Sequence, residues 1–203
     1  MPIYHFTDKK AVQLLANKTR RTDISSFELS QSHIELGKYM AYHIIEEFQL
    51  EECEIKHPQG IKKGKRLANE NNIIILDFLR AGVYYGEGFR FIFQNSPYYH
   101  IQPKRKVGIL KEELENLPKF HNLDVILVDS VINTGATMFA VINQILAQKP
   151  RKLIVSCIVM PDTTAKVINE QYKEIIFYIA RISTNKYVGK GKTDTGNRLF
   201  GTF

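Results

Sequence analysis

The chain has 203 residues, of which 44% are hydrophobic and 24% charged, a balance that suits a folded domain with a core of ordinary size. No apolar run approaches the roughly 20 residues needed to cross a bilayer as a helix, and the N-terminal MPIYHFTDKK lacks a signal-type apolar stretch. The only cysteines are Cys53 and Cys157, so no disulfide framework is expected and the expected setting is a reduced cytoplasm. The net charge of +7 suits nucleotides, pyrophosphates or nucleic acid, and equally a solvated basic face.

The N-terminal third reads mainly as helix. A capping signal at Asp23 to Ser26 precedes a long stretch with apolar residues at Phe27, Ile34, Met40, Ile44, Ile45 and Phe48. The polar, basic HPQGIKKGKR from His57 to Arg66 follows, and Gly60 and Gly64 suggest turns there. Five short apolar runs come next: Ile73 to Leu79, Val107 to Leu110, Val125 to Val128, Leu153 to Met160 and Ile175 to Ala180. Their length and β-branched content predict strands buried on both faces, as in a parallel sheet. Helical periodicity separates them, most clearly over Thr137 to Gln148 and Thr163 to Tyr172. Strands alternating with helices predict an α/β fold. The Gly-rich stretch from Asn185 to Phe203 has no apolar period and reads as a loop. Nothing repeats and no low-complexity linker divides the chain, so one domain over residues 1–203 is expected.

The chemistry concentrates in Val125 to Met138, VILVDSVINTGATM. An apolar strand ends in Asp129, and a short loop leads through Thr134, Gly135, Ala136 and Thr137 into a helix. A helix start presents unpaired N–H groups and a positive dipole end, which together attract phosphate. Gly135 lets the backbone come close, and the Thr134 and Thr137 hydroxyls add donors. Asp129 stands at the carboxyl end of a strand, where open α/β sheets bind ligands, and could accept hydrogen bonds from ribose hydroxyls. An ordinary strand-to-helix turn with a Thr cap is the plainer alternative. One decoy is GKGKT from Gly189 to Thr193. A triphosphate-binding loop needs Gly where Lys186 stands, with a strand before and a helix after, and that reading is rejected.

The phosphate loop resembles the signature of the phosphoribosyltransferases, in which it holds the 5′-phosphate of phosphoribosyl pyrophosphate (PRPP). Many members carry two adjacent acidic residues; the uracil branch keeps only the first, as here, where Ser130 follows Asp129. Three further segments resemble the uracil phosphoribosyltransferase family: RRTDISSFELSQSHIELGKYM near the N-terminus, LRAG from Leu79 to Gly82, and the closing YVGKGKTDTGNRLFGTF. The last matches at Tyr187, Gly191, Asp194, Gly196, Arg198, Phe200, Gly201 and Thr202. The resemblance runs from about Arg20 to Phe203.

It implies a mostly parallel sheet flanked by helices, an N-terminal helical segment, a projecting β-hairpin arm used in subunit contact, and a C-terminal base-binding loop. It also implies transfer of a phosphoribosyl group from PRPP to uracil, giving UMP and pyrophosphate in pyrimidine salvage. Mg²⁺ would be carried mainly by PRPP, with few protein ligands, and the protein would be a homodimer or larger homo-oligomer. PRPP contacts fall on Arg80, Ala81, Gly82, Lys111, Asp129, Thr134, Gly135, Ala136 and Thr137. Base contacts fall on Tyr187, Val188, Thr193, Asp194 and Thr195. Catalytic roles fall on Arg80 and Lys111 for the leaving group and on Asp194 at the base.

The sequence departs from the family at several positions. Leu110 and Lys111 stand where the family has Tyr-Arg after a strand, and lysine lacks the planar fork that suits pyrophosphate. Ser183 replaces an acidic residue near the end of the last strand. In the closing loop Lys190, Lys192 and Thr193 replace Pro, Leu and Gly, and Asn197 replaces Asp. Two other readings stand beside uracil transfer: another acceptor base, or a non-catalytic nucleotide sensor that binds RNA. The basic clusters Lys62 to Arg66 and Lys104 to Lys106 favour the latter, but few aromatics interleave them, which argues against single-strand stacking.

Overall fold

The computed structural model describes residues 3–185, 187 and 189–203. In chain order these form β1 (Ile3–His5), α1 (Lys10–Arg20), α2 (Ser26–Ile44), β2 (Leu50–His57), β3 (Gly60–Leu67), β4 (Ile73–Phe78), α3 (Val83–Arg90), β5 (Tyr98–Ile101), α4 (Lys111–Glu115), β6 (Asp124–Val131), α5 (Ala136–Leu146), β7 (Lys152–Pro161), α6 (Asp162–Gln171), β8 (Ile176–Ser183) and α7 (Thr195–Phe200). Six strands make one sheet in the order β1-β8-β7-β6-β4-β5, and every neighbouring pair is parallel. One face packs on α1, α2 and α3 through Val12, Leu36, Met40 and Phe89. The other packs on α5 and α6 through Val141, Ile142, Ile145 and Ile168. With both faces covered, the central strands become largely apolar runs, as β4 shows with all six residues buried and Asp77 alone of them polar.

The start of α2 follows the capping signal. The Ser25 side chain accepts from the Glu28 N–H at 3.1 Å, and the Glu28 carboxylate accepts from the Ser25 N–H at 3.1 Å. Such a box satisfies two orphan donors and is worth about 1 kcal/mol. The basic stretch after it is strand β3 of an antiparallel hairpin with β2, turning at Gly60, which is the arm the resemblance implies. Its cations face acids across the ladder: Lys63 and Lys65 pair with Glu52, and Arg66 with Glu51.

Two expectations need correction. Val107 to Leu110 is not a strand. The chain there closes a turn, with the Lys104 N–H donating to the Gly108 carbonyl at 2.7 Å and Gly108 at φ +88°. Val107 and Leu110 are exposed, while Gly108 and Ile109 are buried. The strand is Tyr98–Ile101 instead, an edge strand whose half-exposed aromatic residues carry no continuous apolar run. The closing segment is not loop throughout either. Asp194 caps α7 by accepting from the Asn197 N–H at 2.8 Å, and Gly201 ends it at φ +62°, an Asp start and Gly stop spaced for a helix under two turns long.

The topology sets the site. From β4 the chain steps to β5 on one side, and from β6 to β7 on the other, so the carboxyl ends of β4 and β6 flank the reversal point where open sheets hold ligands.

Candidate active site

A cavity of about 480 Å³ opens at that reversal point. β4 delivers Phe78, Leu79, Arg80 and Ala81; β6 delivers Asp129 and Val131; the loop into α5 delivers Asn133 to Thr137; the C-terminal segment delivers Tyr187, Asp194, Thr195 and Gly196. The resemblance named these segments from separate stretches of sequence, and the fold brings them to one wall-to-wall pocket.

At the phosphate loop Gly135 takes φ +78°, and a Cβ there would come within 2.2 Å of the Phe139 ring. The left-handed conformation favours glycine, and a side chain would in addition have to displace the Phe139 ring. The first helical bond of α5 runs from the Phe139 N–H to the Gly135 carbonyl, so the Ala136, Thr137 and Met138 amides precede the ladder. Of these, the Ala136 N–H meets the Thr134 hydroxyl only at 3.4 Å. The loop body is tied down from α6, whose Thr164 hydroxyl donates to the Asn133 carbonyl.

Asp129 lies within β6 rather than at its end, and accepts from the Ser130 N–H at 2.7 Å. Burial pushes its pKa up to about 7, against the lowering effect of the Ser130 and Val131 amides, and the negative Asp77 adds to the rise. Its neighbour Ser130 is fully buried and donates to the Ala81 carbonyl at 2.6 Å. That bond pins the LRAG turn against β6, a role the sequence did not suggest. Leu79–Arg80 is a cis peptide.

Arg80 joins the two ends of the pocket. Its guanidinium donates to Asn197 Oδ1 at 2.7 Å and to the Thr202 hydroxyl at 3.3 Å, and lies 5.8 Å from the centre of the Phe200 ring. These partners are neutral, so its charge remains available to an anion. Asn197 in turn donates to the Gly191 carbonyl at 3.3 Å, which a carboxylate could not do. The Tyr187 hydroxyl accepts from the Thr195 N–H at 2.8 Å and donates to the Thr193 carbonyl at 3.3 Å. The Asn133 amide donates to the Tyr187 carbonyl at 3.2 Å, linking base loop to phosphate loop. Arg198 reaches away, to the Thr19 and Arg21 carbonyls at the end of α1.

Three positions named from the sequence lie elsewhere, and a fourth cannot be placed among the described residues. Gly82 is buried behind the pocket wall, its N–H donating to the Phe78 carbonyl at 2.8 Å. Thr193 is turned toward its own backbone, its hydroxyl donating to the Lys190 carbonyl at 2.9 Å, so it does not line the cavity. Val188 lies outside the described residues. Lys111 opens α4 with its side chain 89% exposed beside Glu115, and does not line the cavity. Arg105 does. The position of the strand explains the difference: with β5 ending at Ile101, the first basic residues after it are Lys104 and Arg105. The signal was present in PKRK after the aromatic strand.

This sheet order, with a phosphate-type loop between β6 and α5 and a closing segment over the reversal point, defines the phosphoribosyltransferase class. Solved structures agree: the fold matches the hypoxanthine-guanine phosphoribosyltransferase of Bacillus anthracis with a TM-score of 0.53 at 15% identity, over 77% of this chain and 79% of that one. It matches the AQ2163 protein of Aquifex aeolicus with a TM-score of 0.82 at 25% identity, over 97% of both. The family model described as uracil phosphoribosyltransferase matches residues 6–202, and the chain belongs to that family. Among relatives, the uracil phosphoribosyltransferase of Ureaplasma parvum serovar 3 is 30% identical over 175 residues, 83% of this chain and 84% of that protein. That of Pyrococcus furiosus is 24% identical over 218 residues, 98% and 90% of the two.

Proposed function

We infer that the chain transfers the phosphoribosyl group of PRPP to uracil, forming UMP and releasing pyrophosphate. The observation that carries this is the shared cavity: phosphate loop, LRAG turn and C-terminal loop all line it, and family membership points the same way. The Thr134 to Thr137 loop would take the 5′-phosphate on its amides and hydroxyls. Asp129, once ionised, would accept from the ribose hydroxyls. Arg80, with Arg105, would hold the departing pyrophosphate as C1′ becomes cationic. Asp194 uses one carboxylate oxygen to cap α7, leaving the other to accept from the base N–H. Tyr187 and Thr195 would frame the base from the side.

Mg²⁺ fits as an ion brought in by PRPP. The carboxylates lining the cavity are Asp129 and Asp194, and no group of three His, Cys, Asp or Glu converges among the described residues. When bound, the ion would neutralise pyrophosphate charge. A role in pyrimidine salvage follows from the reaction, in a cytoplasmic setting and in a homo-oligomer joined through the hairpin arm. No helix among the described residues is long and apolar enough to cross a membrane.

The test is a base panel with PRPP and Mg²⁺, reading nucleotide product and pyrophosphate together. UMP from uracil is the expected product. Another nucleotide in its place would move the activity to a different acceptor, and steeply salt-dependent RNA binding without turnover would replace the catalytic reading altogether.

A further inference from the structure

Arg105 sits on a turn that is held rather than loose. Lys104 and Gly108 exchange backbone hydrogen bonds at 2.7 and 2.9 Å, and the Val107 N–H donates to the Lys104 carbonyl at 3.0 Å. The turn is tight enough to place Lys106 at φ +63° and Gly108 at φ +88°. Upstream, the Gln102 N–H donates to the Glu113 carboxylate at 2.7 Å. Downstream, Gln144 grips Ile109 at both backbone groups: its Oε1 accepts from the Ile109 N–H at 2.8 Å, and its Nε2 donates to the Ile109 carbonyl at 2.9 Å. A primary amide satisfying one residue's donor and acceptor together copies a β-ladder pair and fixes orientation as well as distance. The grip is close. A Cβ on Gly108 would lie 2.2 Å from Gln144 Oε1, so the glycine is what lets the amide reach the chain.

Gln144 lies on α5, the helix whose first turn carries Gly135 to Thr137. One rigid helix therefore presents the phosphate loop at its start and, two turns on, the anchor of the Arg105 turn. We propose that Gln144 is a positioning residue for the enzyme, clamping the Lys104–Gly108 turn so that Arg105 is preset over the pyrophosphate end of the cavity. The proposal rests on the PRPP-dependent reading for its kinetic consequence but not for the clamp itself. A cation held in place before the substrate arrives loses little freedom on binding, which strengthens its hold on a developing charge.

The experiment uses the full chain and its variants Gln144→Ala, Gln144→Leu, Arg105→Ala and the double variants; leucine keeps volume on α5 while removing both hydrogen bonds. Trypsin nicking at Lys104, Arg105 and Lys106 is followed by mass spectrometry, with and without Mg²⁺ and inorganic pyrophosphate. Initial rates are measured with each substrate varied. Nicking at this turn should accelerate about tenfold in both Gln144 variants, because cleavage follows the population of the open turn. The KM for PRPP should rise about tenfold, the size of one lost charge-assisted contact, with kcat and the KM for uracil within about twofold. In the Arg105→Ala background the Gln144 changes should add nothing further to the KM, since coupled residues are not additive. Unchanged nicking, or an undiminished Gln144 effect without Arg105, overturns the proposal. If the wild-type chain makes no nucleotide, the catalytic reading fails while nicking and pyrophosphate protection still judge the clamp.

Discussion

The two ends of the cavity are built by different means. At the donor end, strand β6 and helix α5 supply Asp129 and the Gly135 to Thr137 turn from the middle of the sheet, between covered faces. The groups offered there are largely backbone amides, and the geometry is fixed by a positive-φ glycine. At the acceptor end, residues past β8 are held by side-chain bonds: Tyr187 to Thr193 and Thr195, Asn197 to Gly191, Arg80 to Asn197. A site made of backbone on a sheet tolerates almost no change at its glycine and much change around it. A site made of side-chain bonds can be retuned one residue at a time, and the departures at Lys190, Lys192, Thr193 and Asn197 all fall there.

The largest break in this comparison should come from Gly135→Val. The left-handed conformation disfavours a β-branched side chain, which would also have to displace the Phe139 ring, so kcat/KM should fall by about 10²–10³ or more, measured by UMP formation, while the melting temperature of the sheet core moves far less than activity. Next, Arg105→Ala should raise the KM for PRPP by about tenfold or more, the loss of a charge-assisted contact. Lys111→Ala, on an exposed side chain paired with Glu115, should change it by less than about twofold. Equal effects of the two substitutions would return the leaving-group role to Lys111.

Tyr187→Phe sharpens the contrast from the other side. Without the hydroxyl, the Thr195 N–H and Thr193 carbonyl lose their shared partner, so the KM for uracil should rise by up to about tenfold with the KM for PRPP unmoved. The smallest effect concerns Asp129. With its pKa pushed up to about 7, its ionised fraction and hence kcat/KM should climb through neutral pH and level off above it, and Asp129→Asn should flatten that limb. The stability sign runs opposite to that of a salt-bridged acid. A pKa raised from 3.8 in the folded state favours folding below the ordinary value, and that contribution is lost as pH rises through about 7. Asp129→Asn should therefore melt higher than the wild type at about pH 8, with the gap closing toward about pH 4.

How much the sequence revealed follows the same division. The phosphate loop was legible because strand, carboxylate, glycine and hydroxyls lie within fourteen consecutive residues, and the doubly buried strands β4, β6 and β7 wrote themselves as apolar runs. Edge strand β5 did not: Tyr98, Tyr99 and His100 are only partly covered, and the apolar Val107 to Leu110 imitated a strand while forming part of a turn. With the strand placed at Val107 to Leu110, the basic residue beyond it is Lys111, whereas the cavity is lined by Arg105. Asn197 could be seen as a departure but not as a partner of Arg80, because the pair is 117 residues apart. Ser130 and Gln144 were invisible for a related reason. Each acts on a distant backbone group, Ala81 and Ile109 respectively, and no local pattern marks a side chain for such a task. Thr193, which the resemblance places among the base contacts, turns its hydroxyl to the Lys190 carbonyl instead.

The most direct test is to titrate the labelled chain with UMP, which carries both the 5′-phosphate and the uracil ring, and follow backbone amide resonances. The strongest changes should fall in two groups: Thr134 to Met138 at the start of α5, and Tyr187 with Asp194 to Gly196 across the cavity. Changes confined to the hairpin arm or the Lys104 to Lys106 turn, with the α5 amides still, would contradict it.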